Sequence, residues 1–148
     1  MGTGKESADV KSDKIHYKAG YKYQLTRPYS VETGICPPTT IDYPYWTLHD
    51  NGLLEVSAGF AWDGASGPTW DTKSSMRPSL VHDCFCQMAK DRRIDYKTFA
   101  PLYNQLFRDM CIEDGMWPIR ANLWLAGVIV GRGGDPDIPD DNLEQEAP

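Results

Sequence analysis

The chain has 148 residues, 41% of them hydrophobic and 24% charged, which is the composition of one soluble globular domain. Its net charge is −6, and six acidic residues against one arginine between Arg132 and Pro148 supply most of that charge. The rest of the chain is nearly neutral and lacks the basic surface that nucleic-acid binding requires, so we expect no nucleic-acid partner.

Three parts are predicted along the chain. Residues 1–16 are polar, lack the apolar core of a signal peptide, and are expected to form a flexible leader. Residues 17–131 are expected to form a single globular domain, and residues 132–148 an acidic disordered tail. No apolar run reaches the length of a transmembrane segment, so we expect a cytoplasmic protein. Its cysteines are then expected to be reduced thiols rather than a disulfide framework.

Residues 17–32 alternate loosely between apolar and polar side chains, and this period of two predicts strands. Residues 34–44 are rich in proline and threonine and are expected to form a loop. Residues 45–60 predict a β-hairpin, because Asp50-Asn51-Gly52 separates two apolar runs and Asn-Gly is a strong hairpin-turn signal.

After Pro68, apolar residues recur at helical spacing instead. We predict three helices: Met76 to Met88, a second from a Thr98 N-cap to about Asp114, and a third from Pro118 to Val130, which the segment 131–134 ends. The predicted fold class is therefore α+β, with an N-terminal antiparallel β-hairpin sheet followed by about three α-helices.

His82 and Asp83 lie side by side on the first predicted helix, about twenty residues after the small-residue loop 63–67. An imidazole can take a proton from water, and a carboxylate is a hard oxygen ligand for a cation. Small residues in the loop leave backbone carbonyls free to bind the same ion. These residues predict a hydrolytic site, in which His82 activates water and Asp83, Asp63 and Gly64 bind Ca²⁺.

Two other interpretations remain open from these residues. His82 and Asp83 can be an ordinary helix-surface pair, with Asp83 complementing the positive end of the helix dipole. His82, Cys84 and Cys86 are also residue types that bind zinc. Side chains two positions apart on a helix do not face one another, however, so burial of the two cysteines is favoured over zinc binding.

The segment from Phe60 to the end of the third helix resembles a family of small phage and prophage proteins. The resemblance covers about 70 residues and consists of an aromatic-x-D-G-A-S-x-P loop, a helix with His-Asp, and D-x-x-F on the next helix. The same order of features also resembles the phospholipase A2 superfamily, especially its short prokaryotic branch. There, a calcium loop containing Asp-Gly precedes a helix with His-Asp, and the next helix presents an aspartate to the histidine.

This resemblance implies a phospholipase A2-like helical core with His82 as the general base. It also implies that Asp83, with the carbonyls near Asp63 and Gly64, binds Ca²⁺, and that the substrate is a phospholipid or another ester. It places Asn104 where phospholipases have the aspartate that orients the histidine. An asparagine accepts the same hydrogen bond but carries no charge. Asp95 is the candidate substitute, although it precedes the predicted helix start.

Two functions follow from the resemblance. The first is a calcium-dependent, phospholipase A2-like ester hydrolase of phage or prophage origin. Trp62 and Trp70 are candidate lipid contacts for it, and packing in the core is an equally open role for either tryptophan. The second is a non-catalytic virion or assembly protein that keeps the helical core and binds other virion proteins, which the asparagine at position 104 favours. The expected location is accordingly the host cytoplasm or the virion.

Overall fold

The structure, a computed structural model, describes residues 15, 17–18, 23–62 and 73–138. In these residues the chain forms strands first and helices afterwards, in the order β1 (Tyr17–Lys18), β2 (Tyr23–Leu25), β3 (Tyr29–Glu32), β4 (Ile41–Tyr43), β5 (Trp46–Leu48), β6 (Leu53–Val56), β7 (Ala61–Trp62), α1 (Lys73–Lys90), α2 (Tyr96–Glu113) and α3 (Pro118–Gly131). Every strand pairing among the described residues is antiparallel, in one sheet of order β1-β2-β7 and another of order β3-β6-β5-β4. The predicted α+β class is confirmed.

The predicted hairpin is formed by β5 and β6, in which Leu48 pairs with Leu54. The amide of Gly52 donates to the carbonyl of His49, which closes the turn. Gly52 has φ +93°, and a Cβ at this position would lie 3.3–3.4 Å from the backbone of residues 34–35. Glycine is therefore required both by the conformation and by the close approach of another segment.

The predicted loop 34–44 is wrong in its second half, because β4 lies there and pairs with β5. Ile41 is buried and its neighbour Asp42 is exposed, which is the alternation of a half-buried strand. The strand has only three residues, too few for a period of two to stand out from the proline and threonine around it.

Two helices begin earlier than the sequence predicts. Helix α1 begins at Lys73, so Pro78 lies in its second turn rather than its first. The N-cap of α2 is Asp95, not Thr98. The Asp95 carboxylate accepts hydrogen bonds from the Thr98 amide (3.0 Å) and hydroxyl (2.6 Å), and a negative group is favoured at a helix N-terminus. The third helix agrees closely with its predicted range.

The two sheets and helices α1 and α2 share one hydrophobic core, and a smaller apolar cluster joins α2 to α3. Trp62, a predicted lipid contact, is only 2% exposed and donates from its indole nitrogen to the Ser79 hydroxyl at 2.9 Å. It is therefore part of the core, and Trp70 lies outside the described residues. None of the helices in the described part of the chain is long and apolar enough to cross a membrane.

The first residues of the predicted tail, 132–138, pack against α1. Lys90 donates from its ammonium group to the carbonyls of Asp135 (3.1 Å) and Ile138. Asp135 is buried, and Arg132 binds its carboxylate through two nitrogens at 2.9–3.1 Å. This packing brings the backbone of Gly133 and Gly134 onto α1 beside His82.

Candidate active site

His82 lies in the middle of α1 and is almost fully buried, at 8% exposure. Its Nε2 atom is 2.7 Å from the Oδ1 atom of Asn104 on α2. Because an amide oxygen can only accept, Nε2 carries the ring proton and Nδ1 carries the lone pair. The structure thus joins the two residues that the resemblance assigns to the base and to the group that orients it.

Two aromatic side chains from α2 enclose the imidazole. Tyr103 meets the ring edge-on with 5.3 Å between centroids, and Phe107 is tilted against it at 5.1 Å. Burial lowers the pKa of His82, and the hydrogen bond that Nε2 donates to Asn104 opposes this effect only in part. His82 is therefore neutral at pH 7, the form in which it can accept a proton.

Cys86 faces the other ring nitrogen, with its Sγ atom 3.4 Å from Nδ1 of His82. The two residues are four apart on α1 and so share one helix face. Burial raises the pKa of the Cys86 thiol, and the charge of Asp83 raises it further. The thiol is therefore protonated and acts as a weak hydrogen-bond donor to the imidazole rather than as a nucleophile.

Gly133 and Gly134 cover this side of the site. The Tyr103 hydroxyl donates to the Gly133 carbonyl at 2.7 Å. A Cβ on Gly133 would lie 3.0 Å from Cys86 Sγ and 3.6 Å from His82 Cε1. The segment after α3 thus forms one wall of the histidine site.

The predicted calcium ligands are only partly described. Asp83 is half-buried next to His82 on α1, whereas Asp63 and Gly64 lie outside the described residues. A carboxylate at Asp83 is the hard oxygen ligand that calcium prefers, so this residue fits the proposed ion. Among the residues that the structure describes, no three His, Cys, Asp or Glu side chains gather into a metal-binding group, and His82, Cys84 and Cys86 are therefore not such a group.

Asp95 does not orient His82 in this structure. It caps α2, and the hydrogen bonds from Thr98 lower the pKa of its carboxyl group. It lines a cleft of about 560 Å³ at the connection between α1 and α2, together with Arg92 and Asp135. His82 lies roughly 12 Å along α1 from that connection, since each helical residue advances 1.5 Å. Asp109, on the same helix as Asn104, is exposed and forms an ion pair with Arg108.

Cys86 lies four residues after His82, a spacing that places both side chains on one helix face and could have predicted their contact. The Cys84-x-Cys86 motif drew attention to zinc binding instead. From the sequence, Tyr103 is predicted to be one more apolar residue of the α2 stripe. Gly133 and Gly134 are predicted only to end the third helix. No local pattern connects these residues to His82, because they are 21 or more positions away along the chain.

Comparisons of the chain with protein-family models, with curated proteins and with solved structures gave no match.

Replacing Gly134 with alanine is expected to destabilise the fold by about 2–4 kcal/mol, through backbone strain and overpacking. Gly134 has φ +91°, and a Cβ there would lie 2.4 Å from the Tyr103 hydroxyl and 3.0 Å from Cys86 Cα. Gly115→Ala is the matched control, since φ is +105° and its Cβ would meet nothing within 4 Å. Urea unfolding followed by tryptophan fluorescence measures the free energy of unfolding of both variants. Equal decreases in the two variants would show that Gly134 does not pack against Tyr103 and Cys86 as described.

Proposed function

We propose that this chain is a carboxylic ester hydrolase in which His82 is the general base. The observation that carries the proposal is the 2.7 Å hydrogen bond between His82 Nε2 and Asn104 Oδ1. It holds the imidazole in one orientation and in one tautomer, with the lone pair on Nδ1. General-base catalysis requires both conditions, and a positioned base contributes about 10²- to 10⁴-fold to a rate.

Water, rather than Cys86, is the nucleophile in this proposal. The raised pKa of the thiol keeps it protonated, and a thiol is far less nucleophilic than a thiolate. At 3.4 Å its hydrogen bond to Nδ1 is weak. The proposal therefore requires that the segment of Gly133 and Gly134 moves away from this side of the ring, so that a water molecule replaces the thiol as the proton donor.

The reaction then has a defined course for His82. Nδ1 accepts a proton from water as the water oxygen forms a bond to the ester carbonyl carbon. The resulting imidazolium keeps the proton on Nε2, which remains hydrogen-bonded to Asn104. It returns the proton on Nδ1 to the alcohol oxygen as the ester C–O bond breaks. The products are a carboxylic acid and an alcohol, and His82 is neutral again.

Calcium is part of the proposal through Asp83, together with loop oxygens near Asp63 and Gly64. When bound, the ion supplies positive charge that polarises the ester carbonyl and stabilises the oxyanion. The resemblance to phospholipases makes a phospholipid the substrate class to test first. Production by a phage or prophage, and a location in the host cytoplasm or virion, belong to the same proposal.

The experiment is a calorimetric titration with Ca²⁺ combined with hydrolysis of phosphatidylcholine vesicles. We expect saturable Ca²⁺ binding that Asp83→Asn removes and that Asp109→Asn, which neutralises an exposed acid on α2, preserves. We also expect calcium-dependent hydrolysis that falls at least 10²-fold in His82→Gln, since the general base is lost. Folded wild-type protein that neither binds Ca²⁺ at millimolar concentration nor hydrolyses the vesicles contradicts the proposal.

A non-catalytic assembly protein is the second candidate. The specific observation in its favour is helix α3, whose outward side chains include Ile119 (75% exposed), Leu123 (69%) and Val130 (79%). A large exposed apolar patch marks an interaction surface in a protein of this kind. This candidate predicts that the protein co-sediments with virion proteins. It also predicts that neither the wild type nor Asn104→Asp, which gives His82 a charged partner, hydrolyses the vesicles.

A further inference from the structure

Helix α3 carries an unusual outward face. Ile119, Leu123, Ile129 and Val130 are 52–79% exposed, whereas the buried residues of the helix are Ala121 and Trp124. A helix on the surface of a soluble domain normally turns polar residues outward. Here both faces are apolar, so the domain covers one of them and leaves the other without a partner among the described residues.

The outward residues have the spacing of a helix-pairing seam. Ile119, Leu123, Ala126 and Val130 follow one another at intervals of four, three and four, and all four are exposed. This is the alternation of the a and d positions in a coiled coil, which directs an apolar stripe at a neighbouring helix. The spacing therefore indicates that another helix packs on this face.

Gly127 supports a close partner. It lies in the interior of α3, where glycine is less favourable than alanine, and a Cβ there would meet nothing within 4 Å. Packing within the described part of the chain therefore does not explain why residue 127 is a glycine. Next to Ala126 it forms a shallow place on the helix surface where a large side chain of a partner can sit.

We propose that α3 forms an antiparallel homodimer with α3 of a second copy of the chain. An antiparallel arrangement centred between Leu123 and Ala126 places Leu123 of each copy against Ala126 and Gly127 of the other. It also places Ile119 against Val130. A two-fold interface must be complementary to itself, and this face satisfies that condition by pairing large residues with small ones.

The exposed area and the helix dipoles agree with this occupant. At these exposures the four large side chains of α3 leave on the order of 100–150 Å² each, which is half or more of the roughly 800 Å² per partner of an ordinary specific interface. The antiparallel arrangement also aligns the two helix dipoles favourably. The charged residues near the two ends of α3, Glu113 and Arg132, are paired within the chain with Arg77 and Asp135, so the apolar face itself supplies the contact.

A membrane surface fits the same face less well. The chain has a net charge of −6, and binding to anionic lipid depends on clusters of lysine and arginine. The small residues at the centre of the face also add little area for insertion, although they suit the close approach of a helix. The dimer is independent of the proposed hydrolysis, so either proposal can fail without the other.

Sedimentation equilibrium of the full chain tests the dimer. We expect the wild type at tens of micromolar to have twice the 16.7 kDa mass of the chain, and Leu123→Glu to weaken association at least 100-fold. Tyr45→Glu is the matched control, since Tyr45 is 52% exposed in a strand connection away from α3, and it should remain dimeric. Circular dichroism of both variants confirms that they are folded.

Cross-linking tests the register. In a Cys36→Ser background, which removes the exposed native thiol, equal amounts of Leu123→Cys and Ala126→Cys are mixed and oxidised. We expect a disulfide-linked heterodimer as the main product, whereas a parallel pair would favour cross-links between identical variants. A monomeric wild type, or a Leu123→Glu variant that stays dimeric, overturns the proposal, and a monomer that binds lipid vesicles through Leu123 would assign the face to a membrane instead.

Discussion

Replacing Asn104 with aspartate is expected to raise the pKa of His82 by about 1–3 units, because a carboxylate next to an imidazole favours its charged form. Asn104 is 6% exposed and its Oδ1 atom already lies 2.7 Å from Nε2, so the new charge would act at short range with little solvent screening. The imidazolium that forms during ester hydrolysis would be stabilised. In a serine protease triad the opposite change, Asp to Asn, lowers turnover about 10⁴-fold. We therefore expect turnover here to rise by roughly 10²- to 10³-fold.

The imidazole proton resonances of His82, followed by NMR against pH, measure this pKa directly. The chain has three histidines, and the spectrum of His82→Gln identifies the signal. Gln105→Glu is the matched control, because it adds the same charge at the adjacent, exposed position of α2. We expect the control to leave both the pKa of His82 and the hydrolysis rate close to wild type. An unchanged pKa of His82 in Asn104→Asp would show that the two side chains do not pair in solution.

The Asn104→Asp variant should also change how the free energy of unfolding depends on pH. In the wild type, burial lowers the folded-state pKa of His82 below the value of about 6.5 in the unfolded chain. The unfolded chain then binds the proton more readily, so the wild type loses stability as the pH falls below about 6.5. In Asn104→Asp the folded-state pKa is higher and this loss is smaller. Urea unfolding of both proteins at pH 7.5 and 5.5 gives the difference.

Replacing Arg77 with methionine is expected to lower the free energy of unfolding by about 3–5 kcal/mol, the typical result of removing one partner from a buried ion pair. Arg77 is 5% exposed and binds the Asp114 carboxylate through two nitrogens at 2.8–3.2 Å. It also donates to the Tyr29 hydroxyl at 3.0 Å and to Glu113 at 2.9 Å. Arg77 therefore ties α1 to the end of α2 and to β3, and its loss leaves Asp114 and Tyr29 without these bonds.

The control is Arg92→Met, because Arg92 is 69% exposed and its nitrogen is 3.5 Å from Asp137. Such surface pairs contribute about 0–1 kcal/mol, so we expect little change. The double variant Arg77→Met/Asp114→Asn should be more stable than the sum of its single variants predicts, since the isolated buried charge is removed. If the free energy of unfolding of Arg77→Met falls by less than about 1 kcal/mol, Arg77 does not hold α1 against α2 and β3 as described.

Several features could be predicted because their causes lie within a few residues of one another. The Asp50-Asn51-Gly52 turn, the start of α3 at Pro118 and the amphipathic stripe of α2 depend on local backbone geometry and local side-chain spacing. The error at the start of α2 is instructive. Thr98 and Asp95 are both suitable N-cap residues, and the structure uses Asp95 as the cap and Thr98 as the donor to it.

Other features depend on which segments meet. Arg77 belongs to no sequence pattern, yet it bridges three elements because α2 ends beside the second turn of α1. The wall formed by Gly133 and Gly134 depends on the packing of residues 132–138 against Lys90, in a segment whose acidic composition predicts disorder. The exposed face of α3 likewise follows from which side of an apolar helix the domain covers.

The α+β order of elements and the pairing of His82 with Asn104 were both open to inference from the chain, the first from periodicity and the second from spacing along two helices and a family resemblance. The tertiary structure decided that Asn104 rather than Asp95 meets the imidazole, that Cys86 faces its other nitrogen, and that burial keeps the ring neutral. The physical reason is that dihedral preferences and helical periodicity act over a few residues. Burial, ion pairing and pKa depend instead on groups brought together from distant parts of the chain.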